Sequence, residues 1–224
     1  MNKIYQLTVI LVLLCNNGIV KAQQTSNHLM PVDGILGSYN YKFEYYLKIR
    51  KALFNGLTDN PEIRFLVMPT FSPEYVLDIE HDRGRNKYFI IYHICEENIW
   101  YDENWEFLKV IKFKSEIDYE SVKLIKSLFE IATSQVRYPE RKINPDGSEI
   151  LSIGLDGENY YFSVFIVGHG IRSGMVWTPN KGSKMEKLVT IGNMLIELVK
   201  TEKARVTLDT ELKKSIENLI EELK

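Results

Sequence analysis

The stretch from Glu149 to Val199 constrains the fold of this chain more than any other part of the sequence. Two apolar runs flank Asp156-Gly157, a dipeptide that tolerates the positive φ angles of a type I′ turn. We therefore predict a β-hairpin in which a strand from Ile150 to Leu155 pairs with one from Tyr160 to Val167. A shorter third strand, near Arg172 to Trp177, follows before Pro179 and Gly182.

The strand from Tyr160 to Val167 is largely apolar on both faces, because side chains alternate between the two faces of a strand. Tyr161, Phe165 and Val167 point to one face, and Phe162, Val164 and their neighbours point to the other. A strand of this kind is expected to be central in its sheet and covered on both sides.

The helix that follows has a specific start signal. Ser183 and Glu186 have the S-x-x-E spacing of a capping box, in which each side chain accepts a hydrogen bond from a free backbone amide. The apolar surface after Ser183 is wider than a single stripe, which predicts a helix packed on the sheet and partly covered by another element. Gly192 lies on that surface and indicates a close approach to a neighbour.

The rest of the chain alternates between strand and helix signals. Ser38 or Asn40 can cap a helix to about Asn55, Asp118 can cap one to about Val136, and a final amphipathic helix ends with Glu221 and Glu222. Because these two acidic residues oppose the helix dipole, we expect the last turn to fray. Strands are predicted over Glu62–Val67, Tyr75–Ile79, Lys87–Cys95 and Trp105–Phe113. The predicted class is α+β, with antiparallel hairpins of about seven strands packed by about four helices.

This pattern divides the chain into two α+β halves, 38–137 and 149–224, joined by a linker-like segment, 138–148. We expect the halves to pack together as one domain. Each half has the order hairpin, third strand and capped helix, which is the pattern of a duplicated βββα unit. The alternative is that the two halves look similar only because all hairpins share the same sequence features.

The N-terminal residues 1–22 have the features of a signal peptide. Lys3 precedes an apolar core, Leu7 to Leu14, and Val20-Lys21-Ala22 has small residues at a cleavage position. We expect cleavage after Ala22, a flexible lead-in over 23–37, and export to the periplasm or the extracellular space. Lipid anchoring at Cys15 is a minor alternative.

Charge, cysteine content and the length of apolar runs restrict what kind of protein this is. Loss of Lys3 and Lys21 changes the formal charge from −2 to −4, which argues against nucleic-acid binding. Cys95 is then the remaining cysteine, so stability must come from a hydrophobic core rather than from an intramolecular disulfide. No apolar run after the signal peptide approaches about 20 residues, so we predict no transmembrane segment.

Catalytic and metal-binding motifs are absent from the sequence. It contains no G-x-S-x-G, no P-loop, no G-x-G-x-x-G and no metal-type histidine pair, and we predict neither a cofactor nor a metal. His169, between two glycines, is the best catalytic candidate, with Asp156 or Glu158 as its carboxylate partner. This is the basis of an alternative function, a secreted hydrolase. We expect His93 and Cys95 to be buried in a strand and inert.

Aromatic residues among acidic ones favour a different function. Trp100, Tyr101 and Trp105 lie in a segment that also contains Glu96, Glu97, Asp102, Glu103 and Glu106, without the spacing of a calcium loop. Mixed aromatic and charged segments are typical of interaction surfaces. With Arg172 and Trp177 as further candidate binding residues, we expect an exported, non-catalytic binding or inhibitory module that acts on a protein or cell-surface partner.

Overall fold

The computed structural model of the chain describes residues 27–32, 42–101, 107–138 and 156–224. Its helices are α1 (Lys42–Leu53), α2 (Tyr119–Ser134), α3 (Lys184–Lys200) and α4 (Thr210–Leu223). Its strands are β1 (Ile63–Pro69), β2 (Tyr75–Asp82), β3 (Lys87–Cys95), β4 (Val110–Ile117), β5 (Glu158–Ile166), β6 (Gly170–Trp177) and β7 (Arg205–Val206). The described part of the chain therefore has the predicted α+β class, with four helices and seven strands.

All seven strands belong to one sheet, in the order β6-β5-β1-β2-β3-β4-β7. Neighbouring strands are antiparallel except β4 and β7, which are parallel. β1 lies between β2 and β5, so a strand from the first half of the sequence pairs directly with one from the second half.

The predicted hairpin across Asp156-Gly157 is wrong. β5 has β1 on one edge and β6 on the other, and this leaves no free edge on which residues 150–155 could pair with it. The hairpin instead joins β5 to β6, where Gly168 and Gly170 both have φ of 81° and the amide of His169 donates to the carbonyl of Ile166 at 3.0 Å. Residues 139–155 lie outside the described part of the chain.

The larger core lies on the face of the sheet covered by α2, α3 and α4. Phe65 of β1 stacks on Phe162 of β5 with ring centroids 4.9 Å apart, and Phe129 of α2 meets Phe162 edge to face at 5.5 Å. Leu195 of α3 is fully buried in the same cluster. Burial of this much aliphatic and aromatic surface is the main favourable contribution to folding.

A smaller core lies on the other face of the sheet, beneath α1. Ile49 and Leu53 of α1 pack there with Leu66, Val76 and Tyr161 of the sheet. Since Tyr161 is buried in this core and Phe162 in the larger one, β5 is covered on both faces as its sequence predicts.

The start of α3 confirms the predicted cap at Ser183, with one difference in detail. The hydroxyl of Ser183 accepts a hydrogen bond from the amide of Glu186 at 3.1 Å. The carboxylate of Glu186 accepts from the amide of Gly182, one residue before the expected donor, because the Ser183 amide bonds the carbonyl of Asn180 at 3.1 Å. Asp118 and Asp209 cap α2 and α4 in the same way.

The expectation that the last helical turn frays is wrong. Leu223 is only 2% exposed and belongs to the larger core. The side-chain amide of Gln135 donates to the carbonyl of Leu223, and Lys187 binds both carboxylate oxygens of Glu222 at 2.6 and 2.7 Å. These tertiary contacts outweigh the unfavourable placement of Glu221 and Glu222 in the helix dipole.

The expected flexible lead-in does not describe residues 27–32. Met30 and Met175 of β6 exchange two backbone hydrogen bonds, at 2.7 and 2.8 Å, and Leu29 is fully buried.

The predicted signal peptide 1–22, with Cys15, lies outside the described residues, as does most of the linker-like segment. The duplication stays a prediction, because the described residues of the second half contain two strands before α3 rather than three. Among the described helices, none is both long and apolar enough to cross a bilayer.

Candidate functional site

Six strand ends meet at one end of the sheet. The pairings of Val67 with Tyr75, Cys95 with Val110 and Asn159 with Trp177 show that β1, β3 and β6 finish there, whereas β2, β4 and β5 begin there. The loops that join these strands are therefore brought to a common surface by the antiparallel order of the sheet.

Five exposed aromatic side chains lie at this end of the sheet, and we call them the aromatic end. They are Phe71 (70% exposed), Trp100 (47%), Tyr101 (60%), Phe107 (87%) and Trp177 (36%). They extend from β6 to β4, which is five strand spacings or roughly 24 Å. Monomeric proteins seldom expose several large aromatic groups on one surface without a binding role.

Trp177 is held in place by the start of β5. A Cβ atom added to Gly157 would lie 2.6 Å from the indole of Trp177, so only glycine fits beneath this ring. Thr70 fixes Gly157 from the other side, since its hydroxyl donates to the Gly157 carbonyl at 2.6 Å and its backbone amide donates to the same oxygen at 3.0 Å. Because Thr70 directly precedes Phe71, its contact with Gly157 supports both Phe71 and Trp177.

Glu74, at the turn before β2, is a fully buried carboxyl group behind the aromatic end. The hydroxyl of Tyr45, from α1, donates to one of its oxygens, and the amide of Ile99 donates to the other at 2.8 Å. The carbonyl of Glu74 accepts from the amide of Cys95 at 3.0 Å. One residue thus connects α1, the turn before β2 and the loop after β3.

The loop after β3 carries Trp100 and Tyr101 and is fixed by short-range contacts. The side-chain amide of Asn98 donates to the carbonyl of Ser72 at 2.7 Å, and its oxygen accepts from the amide of Trp100 at 2.9 Å. The Trp100 ring meets Tyr45 edge to face, with centroids 4.9 Å apart. Trp100 is therefore packed on one side and open to solvent on the other.

Burial controls the ionisation of the groups beneath this surface. It raises the pKa of Glu74, although the amide of Ile99 and the hydroxyl of Tyr45 act in the opposite direction. It also raises the pKa of Tyr45, with a further contribution from the charge of Glu74. Burial raises the pKa of the Cys95 thiol to about 12, so at neutral pH this cysteine is not the thiolate that nucleophilic catalysis requires.

Acidic side chains outnumber basic ones around the described part of the aromatic end. Glu96, Glu97 and Asp156 are exposed there, and Lys109 lies 3.4 Å from Glu96. Lys181 follows β6. The rim of the surface is therefore polar and slightly negative, whereas its centre is aromatic, as is common at protein interfaces.

The structure brings together three of the five predicted binding residues: Trp100, Tyr101 and Trp177. Trp105 lies outside the described residues. Arg172 pairs with Val164 near the opposite end of β5 and β6, so it does not belong to this surface. Phe71 and Phe107 were missed by the sequence analysis, although an exposed phenylalanine in the turn between two strands is a signal that could have found Phe71.

The catalytic candidates are not brought together. His169 is exposed in the β5–β6 turn, whereas Asp156 and Glu158 lie at the other end of β5. The eight residue steps of β5 alone separate these ends by about 26 Å. A general base must lie within hydrogen-bond reach of its partners, so this arrangement offers no catalytic pair.

His93 and Cys95 are buried, as predicted. Nδ1 of His93 lies 2.6 Å from the carbonyl of Leu53, which gives this histidine a structural role in fixing the end of α1. Across the described residues, no group of three or more histidine, cysteine or acidic side chains is placed to hold a metal ion.

A buried ion pair lies on the same face as Glu74, further along β2. Arg64 contacts Asp78 through two hydrogen bonds of 2.8 and 2.6 Å and also donates to the carbonyl of Thr58 at 2.8 Å. Its guanidinium carbon lies 4.0 Å from the ring centroid of Phe54. The pair joins β1 to β2, and Arg64 also binds the connection between α1 and β1, so its role is structural.

A cavity of about 450 Å³ lies at the other end of the sheet, between the start of β3 and the start of α2. Its charged groups bind one another: Glu116 pairs with Lys87 at 2.5 Å and with Arg205 at 4.0 Å, and Asp118 caps α2. Because its charges are balanced internally, this cavity offers a weaker case for a binding site than the aromatic end.

No protein-family model, curated protein or solved structure matches the chain.

Proposed function

We propose that this chain is an exported, non-catalytic binding or inhibitory protein that engages a protein partner through the aromatic end. The observation that carries the proposal is the presence of five exposed aromatic side chains at one end of one sheet. Isolated exposed apolar residues need no explanation, but a group of large ones implies a partner that covers them.

The residue types at this surface favour a protein as the partner. Tryptophan, tyrosine and phenylalanine are enriched in the centres of protein interfaces, and tryptophan and tyrosine are frequent among the residues that contribute most to affinity. The aromatic end has aromatic side chains at its centre and polar and acidic groups around them, which is the usual arrangement of a protein interface. A span of roughly 24 Å is also sufficient for a standard protein interface.

The supports beneath the surface add to the proposal. Trp100 packs on Tyr45, and Trp177 packs on Gly157, so both rings are ordered before a partner arrives. Binding then costs less side-chain entropy than it would with mobile rings. The rival function, a hydrolase that uses His169, gains no support, because His169 lies far from Asp156 and Glu158.

Site-specific photo-crosslinking in the producing cells tests the proposal. A photoreactive phenylalanine analogue placed at Phe71 or Phe107 should capture the same protein, because both positions lie at the aromatic end. The matched control is Tyr119, which is 56% exposed but lies beyond the opposite end of β4. The analogue at Tyr119 should not capture that protein.

Binding of the captured protein, after purification, completes the test. We expect Phe71→Ala and Phe107→Ala together to weaken its binding at least tenfold, and Tyr119→Ala to leave it unchanged. These exposed positions can be truncated with little loss of stability. Equal crosslinking from all three positions, or equal affinity of both variants, would overturn the proposal.

A further inference from the structure

We propose that Glu74 is a positioning residue of the aromatic end: its buried carboxyl group ties the loop that carries Trp100 and Tyr101 to α1 and to the turn that carries Phe71. This inference rests on the proposed function of the surface. Glu74 itself is fully buried and touches no partner, so it acts only through the residues that it holds.

The geometry assigns Glu74 this role because its two oxygens bind donors from different parts of the chain. Tyr45 belongs to α1, and Ile99 belongs to the loop after β3. Ile99 is fully buried and directly precedes Trp100, and Tyr45 supports the Trp100 ring. Loss of the carboxyl group would therefore release the backbone and the ring support of the loop together.

Burying a carboxyl group in an apolar core costs free energy unless hydrogen-bond donors compensate it. The position of Glu74 therefore needs an explanation. The smaller core beneath α1 contains apolar side chains such as Leu66 and Ile99, together with the neutral groups of Cys95 and Tyr161. A glutamine at this position could keep both links, because its oxygen can accept from the Ile99 amide while its NH2 group donates to the Tyr45 hydroxyl. A methionine offers no comparable acceptor, so Glu74→Met removes both links while it keeps a side chain of similar length.

Asp78 provides a matched control. It is also fully buried, lies four residues further along β2 and faces the same side of the sheet. Its carboxylate binds Arg64 rather than the loop after β3. Asp78→Asn should disturb overall stability without a separate effect on Trp100 and Tyr101, which distinguishes local release from general destabilisation.

Amide hydrogen exchange on the full chain tests the inference directly. We expect Glu74→Met, which leaves the Ile99 amide without its acceptor, to raise the exchange rate of that amide at least tenfold relative to the β3 amides, which report global unfolding. In Asp78→Asn, Ile99 and β3 should change together. If Glu74→Met does not fold, Tyr45→Phe removes the link between Glu74 and α1 alone, and it should raise exchange in residues 99–101 by a smaller factor. Unchanged relative exchange at Ile99 in these variants overturns the inference.

Affinity for the captured partner distinguishes failure of this inference from failure of the proposed function. Glu74→Met should weaken binding at least threefold, although no contact residue is altered. If Phe71→Ala and Phe107→Ala weaken binding but Glu74→Met does not, the aromatic end binds the partner and the positioning role is wrong. If none of these variants weakens binding, the proposed function is wrong, whatever the exchange rates show.

Discussion

The ring of Phe65 lies directly against the backbone of Gly192. A Cβ atom built on Gly192 would stand 2.5 Å from Cε1 of Phe65, closer than any ordinary contact. Phe65 cannot move away easily, because it is fully buried and its ring stacks on both Tyr160 and Phe162. This contact explains why α3 carries a glycine in the middle of its apolar surface.

Gly192→Ala should therefore destabilise the protein. Alanine gains about 1 kcal/mol over glycine from helix propensity, but overpacking a dense core costs about 1–3 kcal/mol. We expect a net loss in the free energy of unfolding, measured by urea denaturation. Asn193→Ala, at the exposed neighbouring position, is the control and should be neutral or slightly stabilising. A Gly192→Ala protein more stable than wild type would contradict the close packing of α3 on β1.

Leu195→Ala and Leu223→Ala should both be strongly destabilising. Both side chains belong to the larger core, and truncation of a buried leucine costs about 2–5 kcal/mol out of a total of about 5–15 kcal/mol. Thermal and urea unfolding measure the effect. Leu47→Ala, at a position 40% exposed, should remain within about 0.5 kcal/mol of wild type. A mild Leu223→Ala variant would mean that the end of α4 frays after all.

Cys95 should be chemically inert in the folded protein. Its thiol is buried and its pKa is raised to about 12, so the reactive thiolate is scarce at neutral pH. We expect iodoacetamide at pH 8 to leave the Cys95 peptide unmodified, as judged by mass spectrometry, until denaturant is added. Rapid alkylation under native conditions would instead show that the core beneath α1 opens readily.

The stability contribution of Glu74 should decrease as the pH rises. Its pKa is raised in the folded state above the ordinary value of 4.5, so folding favours the protonated form. That contribution is complete below about pH 4.5 and is lost as the pH rises through the folded pKa. Glu74→Gln does not titrate there, so the stability difference between wild type and Glu74→Gln should shrink from pH 4 to pH 7. Urea denaturation across this range measures it, and a difference that grows with pH would reverse the sign of the shift.

Local signals in the sequence predicted most of the elements. β3 spans Lys87–Cys95 as expected from its run of β-branched and aromatic residues, and the caps at Asp118 and Ser183 fix the starts of α2 and α3. These features depend on neighbouring residues alone, which is why one sequence is sufficient to find them.

Features that depend on distant contacts could not be predicted in this way. Asp156-Gly157 has the composition of a hairpin turn, but the edge of β5 that such a hairpin would need is taken by β1. The end of α4 has unfavourable charges, but Gln135 and Lys187 hold it. In both cases a tertiary contact from a remote part of the chain outweighs the local preference.

The same distinction between local and distant contacts applies to the candidate site, of which the sequence predicted some residues but not their arrangement. Trp100, Tyr101 and Trp177 stand out as aromatic residues among polar neighbours, but their meeting at one end follows from the strand order. Glu74 lies in a Ser-Pro-Glu-Tyr stretch that favours an exposed turn. Only the approach of Tyr45 and Ile99 shows that its carboxyl group is buried and bonded.

The position of β1 between β2 and β5 also affects when the sheet can form during synthesis of the chain. Ile63 pairs with Val164, about 100 residues later in the chain, so the sheet has a high contact order. At a synthesis rate of about 5–20 residues per second, β1 waits on the order of 5–20 s for its second neighbour. During that interval one edge of an apolar strand is open to wrong pairing. β1 has both of its neighbours only after residue 166 has been made, so until then the newly made chain exposes the edge of an apolar strand.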